Sequence, residues 1–282
     1  MNQVGIEFEQ EPIEISEGIY WVGYADNNSG LHCNPYLIIE DDEAVLIDGG
    51  SRDDFSNVML KILRTGIKPS QITRLIYQHY DPDLCGSLPQ LEAIIHHDNL
   101  RIISHAENNI FIHYYSSKTK KLDFRAIGNS FRFATGRRLD FFGTPFCHLP
   151  GSFVTYDQKT KTLFSSDLFG SFDNRWTLFL NLPDACRKCN HLESCHETID
   201  VCPVKGIIEF HQRIMTSNMA SANALRIIES LDVAMIAPQH GSVLTTKEEI
   251  KAVIRHLRSI ENVGIEHLLL DKSNDKIESD QR

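Results

Sequence analysis

The chain has 282 residues, 41% hydrophobic and 23% charged, the composition of an ordinary globular protein, which excludes disorder over its body. A formal net charge of -10 excludes a nucleic-acid partner gripped by a concentrated basic face, and the basic stretch from Lys118 to Lys121 is too short to change that. Residues 1–14 are acidic without an apolar leader, and no run approaches the roughly 20 apolar residues of a membrane span, so a cytoplasmic protein with no membrane partner is expected.

The N-terminal third alternates strand and helix signals. Ile19 to Tyr24, Tyr36 to Ile39 and Ala44 to Ile47 are β-rich, the last running into the turn signal Asp48-Gly49-Gly50. Phe55, Met59, Ile62 and Leu63 give Asp53 to Thr65 a helical spacing closed by Gly66. A short strand, Leu75 to Tyr77, delivers His79 into a loop, and Gly86 starts a helix carrying Leu88, Leu91 and Ile95. Ile102-Ile103 reads as a strand, Ala106 to Tyr115 as a helix, and Phe131 to Phe164 as mostly strand. One long amphipathic helix is predicted from Gly206 to Ser230, its Met and Phe residues packing in the core. Val233 to Ile236 is a strand, Lys247 to Ile260 a helix, and Asp271 to Arg282 a polar, disordered tail. The expected organisation is one domain over 1–270 with a cysteine-rich insertion at about 184–204. Neither a phosphate-cradling Gly-rich loop nor a G-x-S-x-G elbow occurs, which removes the usual nucleotide and serine-hydrolase readings.

Chemistry concentrates at strand ends. His79, Asp81 and Asp83 lie within five residues, and two of these three donors are hard carboxylates, which favours iron or manganese over softer choices. His148, Asp167 and His240 each follow an apolar run as well. Strands ending in His or Asp at several places gather their loops on one sheet edge, where sites are built.

In this order, His79-x-Asp81-x-Asp83, His148, Asp167 and His240 resemble the metal-binding pattern of the metallo-β-lactamase superfamily, an α/β fold with an αββα sandwich. Within it, the diiron domain of flavodiiron proteins is most similar. Ile19 to Gly23, Tyr36-Leu37-Ile38, Val45 to Asp48, Gly86 to Pro89, Leu163 to Gly170 and Met235 to Gly241 support the resemblance, which spans residues 10 to 250. It implies that His79, Asp81 and His148 hold one iron, Asp83 and His240 the other, and that Asp167 bridges them. Two ferrous ions so held can give electrons to one O2. Two departures stand out. Asp81 occupies a position where the family commonly has Glu and hydrolytic zinc members a second His. Leu84 stands where the flavodiiron pattern has His, which implies an open coordination position for O2, peroxide or NO. The flavodoxin-like domain that carries FMN in flavodiiron proteins does not follow, so no FMN is expected.

Cys186-x2-Cys189-x5-Cys195-x6-Cys202 places four of the seven cysteines within seventeen residues. Four thiolates suit a [4Fe–4S] cluster, a zinc or a single rubredoxin-like iron. A cluster near Asp167 could relay electrons in place of the flavin, whereas a zinc would staple the insertion. Cys33, Cys85 and Cys147 read as small buried side chains, the last two beside ligands.

The resulting expectation is a non-haem diiron redox protein, either an oxygen or redox sensor or an oxygen or nitric oxide reductase. Its partners would be O2 or a related diatomic, an electron donor or signalling protein, and, by resemblance, a second copy in a homodimer. The alternatives are a dinuclear zinc hydrolase of the same superfamily and a metal-stabilised interaction protein without redox chemistry.

Overall fold

The structure is a computed structural model that describes residues 11–24, 31–116, 118–172, 176–189 and 202–270. Seven strands run in chain order through the first sheet: β1 (Ile13–Ser16), β2 (Ile19–Trp21), β3 (Tyr36–Glu40), β4 (Glu43–Ile47), β5 (Ile72–Ile76), β6 (Arg101–Ser104) and β7 (Lys120–Asp123). The first four pair antiparallel, and β4 through β7 pair parallel. The second sheet has the order β12-β11-β10-β9-β8, from β8 (Ser130–Arg132), β9 (Arg138–Gly143), β10 (Phe153–Asp157), β11 (Thr162–Phe164) and β12 (Met235–Ala237). Only its β11–β12 pair is parallel.

Side-chain alternation stacks these sheets face to face. In β3 and β4, Tyr36, Ile38, Val45 and Ile47 join a cluster with Phe141, Phe153 and Phe164 of the second sheet. The intervening Leu37, Ala44 and Leu46 face the other way, against Val58 and Ile62 of α1 (Phe55–Arg64), Leu84 of α2 (Pro82–Cys85) and Leu88 and Leu91 of α3 (Leu88–Ile95). Ile112 of α4 (Ala106–Tyr115) joins the same layer. On the far side, Val154 and Tyr156 of β10, Leu163 and Ile236 pack on α6 (Pro203–Ile214), α7 (Asn218–Glu229) and α8 (Lys247–Ser259); α5 (Asp184–Lys188) precedes them and α9 (Ile265–Leu270) follows. Four layers result, helix, sheet, sheet and helix, which is the αββα architecture the resemblance implies.

The predicted helix from Gly206 to Ser230 is two helices, broken at Met215–Ser217. Ser217 caps α7 by accepting from the Ala220 N–H at 3.3 Å. The break also receives Gly264, whose N–H donates to Gln212 O at 2.7 Å and where a Cβ would come within 2.1 Å of Met215 O. The stretch read as a helix from Gly86 begins at Leu88, after the separate turn of α2. The β1–β2 hairpin and α9 are elements that the sequence reading did not separate. The polar tail, residues 271–282, lies outside the described residues. No described helix is long and apolar enough to cross a membrane.

Candidate metal centre

The strand ends bring all six predicted donors to one edge of the sandwich. His79 follows β5, and Asp81 and Asp83 lie at the start of α2, Asp81 as its N-cap residue with no capping hydrogen bond from its carboxylate. His148 lies between β9 and β10, Asp167 follows β11 and His240 follows β12. His148 Nε2 is 3.3 Å from Asp81 Oδ2 and 3.0 Å from Asp167 Oδ2. His79 Nε2 stands 3.7 Å from both Asp81 Oδ2 and Asp167 Oδ1. His240 Nε2 is 3.1 Å from Asp83 Oδ2 and 3.7 Å from the same Asp167 Oδ1. Two donor groups emerge, His79/Asp81/His148 and Cys33/Asp83/His240, each with its donor atoms within 4.8 Å of one another. Asp167 reaches into both.

This donor set fits a pair of cations. His79 Nε2 and Asp167 Oδ1 are buried without a hydrogen-bond partner, and their 3.7 Å gap is too long for a hydrogen bond. Buried polar groups left unpaired in this way are costly unless something binds between them. The ion pairs of Asp81, Asp83 and Asp167 among the described residues are all with histidines. Burial opposes charge on His148, but Asp167 and Asp81 outweigh it and carry its pKa up to about 10; Asp83 and Cys33 likewise raise His240. Burial opposes the Asp167 anion too, yet His79, His148 and His240 pull its pKa down. Such a field gathers positive charge, which a divalent cation supplies without protons. His79, Asp167 and His240 are buried, whereas the side chains of Asp81 and Asp83 are 31% and 27% exposed, so the edge opens to small molecules on that side.

Neighbouring groups hold the candidate donor side chains in register. His240 Nδ1 donates to His32 O at 2.8 Å, and His79 Nδ1 lies 3.0 Å from Ser166 Oγ, so both rings present Nε2 to the centre. Asp48 Oδ1 accepts from the Gln78 N–H at 3.1 Å, and the Gln239 amide, oriented with its NH2 toward Asp48, reaches Oδ2 at 3.3 Å. Burial pushes the Asp48 carboxyl well up, and Asp167 and Asp83 add to the effect. His211 on α6 donates from Nδ1 to Ile207 O at 2.7 Å and accepts at Nε2 from Phe169 N–H at 3.1 Å, bracing the turn that carries Asp167. Positive φ values at Asp48, Phe146, Ser166 and Phe169 fall beside these candidate donors, backbone strain that the surrounding packing sustains. Gly241, at φ +88, follows His240 where an added Cβ would press on Ser171 at 3.0 Å.

Three residues add to what the sequence suggested. Leu84 is fully buried in the helix layer with Leu88 and Leu91, next in the chain to Asp83. Cys33, read as a bland small side chain, has its Sγ 3.9 Å from Asp83 Oδ2. His211 was not singled out at all, since a lone histidine on an amphipathic helix carries no local signal. Cys186 lies in α5, Cys189 caps it and buried Cys202 caps the start of α6, while Cys195, the fourth predicted thiolate, lies outside the described residues.

Comparison with known proteins agrees with this architecture. The family model of the ODP family beta lactamase matches residues 31–241. An uncharacterized protein of Methanocaldococcus jannaschii is 29% identical over 258 residues, covering 86% of this chain and 58% of its own length. An anaerobic nitric oxide reductase flavorubredoxin of Aeromonas hydrophila is 25% identical over 260 residues, covering 87% and 49%. The chain thus spans about half the length of these curated relatives. Among solved structures, the chemotaxis sensor ODP, solved as a peroxy diiron species, superposes with a TM-score of 0.70 at 21% identity, covering 92% of this chain and 98% of that one. An apo state of the chemotaxis sensor ODP from T. denticola gives 0.69 at 22% identity, covering 92% and 96%.

Proposed function

We propose, from the premise that this chain belongs to the ODP family beta lactamases, that it is a non-haem diiron protein that binds O2, or the related NO or peroxide, and converts that event into an oxygen or redox signal. The observation that carries this reading is Asp167, whose two carboxylate oxygens reach the donors of both groups. In this proposal His79, Asp81 and His148 hold one iron, Asp83 and His240 the other, and Asp167 spans the pair. The bound pair supplies electrons to one small oxidant. The protein's own groups do the rest. The Ser166 hydroxyl and the His32 carbonyl keep Nδ1 of His79 and His240 engaged so that each Nε2 lone pair faces the centre, and the buried Asp48 ties the loops before His79 and His240 together through Gln78 and Gln239. Thr216 donates to His148 O at 2.8 Å, linking the His148 loop to the break between α6 and α7, a connection through which a change at the centre can reach the helix layer.

The cysteines at 186, 189, 195 and 202 are proposed to hold a [4Fe–4S] cluster that exchanges electrons with an external donor. Support comes from their spacing and from Cys202, which packs in the same cluster as Leu168 and Phe169, the neighbours of Asp167. The sensor reading draws further support from the match to nearly the whole length of a chemotaxis sensor.

The test is to reduce the iron-loaded chain without air, admit O2 and follow visible absorption together with iron, zinc and sulfide content. An O2-dependent band with iron bound at the histidine and aspartate donors is expected, and Cys189→Ala should lose sulfide while keeping that band. No spectral change sinks the O2 proposal, and two zinc ions with esterase activity replaces it with the hydrolase. Sustained turnover with a supplied donor identifies a reductase in place of a sensor.

A further inference from the structure

The loop from His32 to Tyr36 is fastened to the loop that bears His240 by an unusually complete set of bonds. Asn34 Nδ2 donates to Pro238 O at 3.0 Å and to Gly241 O at 2.9 Å, and its N–H donates to Gln239 O at 2.9 Å. Trp21 Nε1 in turn donates to Asn34 Oδ1 at 2.8 Å, and Tyr36 Oη donates to Pro238 O at 2.8 Å. His240 Nδ1 closes the set on His32 O. Both amide hydrogens of the buried Asn34 side chain are thereby spent on the His240 loop, which fixes Cys33 against His240. The result is that Cys33 Sγ, Asp83 Oδ2 and His240 Nε2 converge with donor atoms within 4.8 Å of one another. Two donors of one tetrahedral cation stand about 3.6 Å apart, so the 3.9 Å from Sγ to Asp83 and the 3.1 Å from His240 to Asp83 need only small side-chain shifts to share an ion.

We infer that Cys33 is a thiolate ligand of the second cation, beside Asp83 and His240. This rests on the dinuclear centre proposed above and adds to it that the two metal positions are chemically unlike, one of nitrogen and oxygen only, the other with sulfur. Binding releases the Cys33 proton to solvent as Sγ takes up the cation, since a coordinating thiol is deprotonated. A thiolate makes the second position the softer of the two, so it will retain cobalt or zinc more readily than its neighbour.

Titrating the full chain, freed of metal and kept without air, with Co2+ and comparing it with Cys33→Ser tests the assignment. Thiolates elsewhere contribute to both chains and cancel. The expected difference is a thiolate-to-cobalt charge-transfer band that saturates with one equivalent, with at least tenfold weaker binding of one ion in Cys33→Ser. A second readout needs no variant at Cys33: in the wild-type chain Co2+ should protect Cys33 from iodoacetamide, scored peptide by peptide, and in Asp83→Ala that protection should be lost. Superimposable spectra, or Cys33 alkylated at the same rate with and without cobalt, overturn the inference while leaving two bound ions intact. If Asp167→Ala takes up as much cobalt as the wild type, the dinuclear reading itself falls, and this one with it.

Discussion

Buried carboxylates gather at both ends of the sandwich, and the two gatherings are resolved by opposite means. At the ends of β3 and β10 remote from the candidate metal centre, Arg137 donates to Asp157 at 3.0 and 2.8 Å and to Glu40 at 3.0 Å, and Thr160 supplies two more hydrogen bonds to Asp157. There the Arg137 guanidinium settles the charge, and its own charged form is favoured despite burial. At the other end the ion pairs of Asp81, Asp83 and Asp167 among the described residues are all with histidines, Cys33 Sγ lies 3.9 Å from Asp83, and buried donor atoms are left unpaired. One cluster is complete as protein and serves the fold. The other has the unpaired donors that a cation would complete, which is how a candidate site differs from a structural ion pair.

Substitutions can break that contrast. Asp167→Ala should have the largest effect, lowering the metal-to-protein ratio by about two relative to the unsubstituted chain by elemental analysis, with any metal held by the cysteines unchanged, because the one carboxylate serving both donor groups is gone. Arg137→Ala should leave the metal content of the folded chain unchanged but cost about 3–5 kcal/mol by denaturant titration, since Asp157 stays buried without its partner. Adding Asp157→Leu to an Arg137→Met chain should recover most of that loss, which no hydrophobic pair could do at the metal centre.

The next effect is set by pH. Burial holds the pKa of His211 down at about 4, against 6.5 in the unfolded chain, although the Ile207 carbonyl favours the charged ring. The unfolded state therefore binds the extra proton between these values. The contribution is fully present above pH 6.5 and is lost as pH falls toward 4, amounting to about 3 kcal/mol. Thermal melts of the metal-free chain should drop across that window, and His211→Gln should show a shallower slope by one proton. Smallest of all, Ser166→Ala should weaken metal binding about 10- to 100-fold by competition with a chelator, because His79 Nδ1 loses the group that orients the ring. An unchanged affinity would detach Ser166 from the centre.

The convergence of the six candidate donors was legible because His79, Asp167 and His240 follow apolar strands and the resemblance grouped them with Asp81, Asp83 and His148. The layering came from the resemblance and not from alternation, since Tyr36 to Ile39 and Ala44 to Ile47 are apolar at every position, as strands covered on both faces are. What escaped depends on contacts far apart in the chain. The apolar spacing runs through Met215, so nothing nearby announces the helix break that Ser217 caps and Gly264 fills. A single cysteine before an apolar strand gives no sign that Asn34 will fasten it to residues some 200 positions later.

The donors on the two sides of the centre come from different sheets: His79, Asp81 and Asp83 follow β5 of the first, while His148, Asp167 and His240 belong to the second. An ion shared across them acts as a reversible crosslink between two stretches that are distant along the chain, and its binding energy adds to the cohesion of the sandwich. Letting go of the metal and parting the sheets then become one cooperative act. The protein's resistance to proteolysis should consequently follow the supply of metal in both sheets together, as a single melting unit.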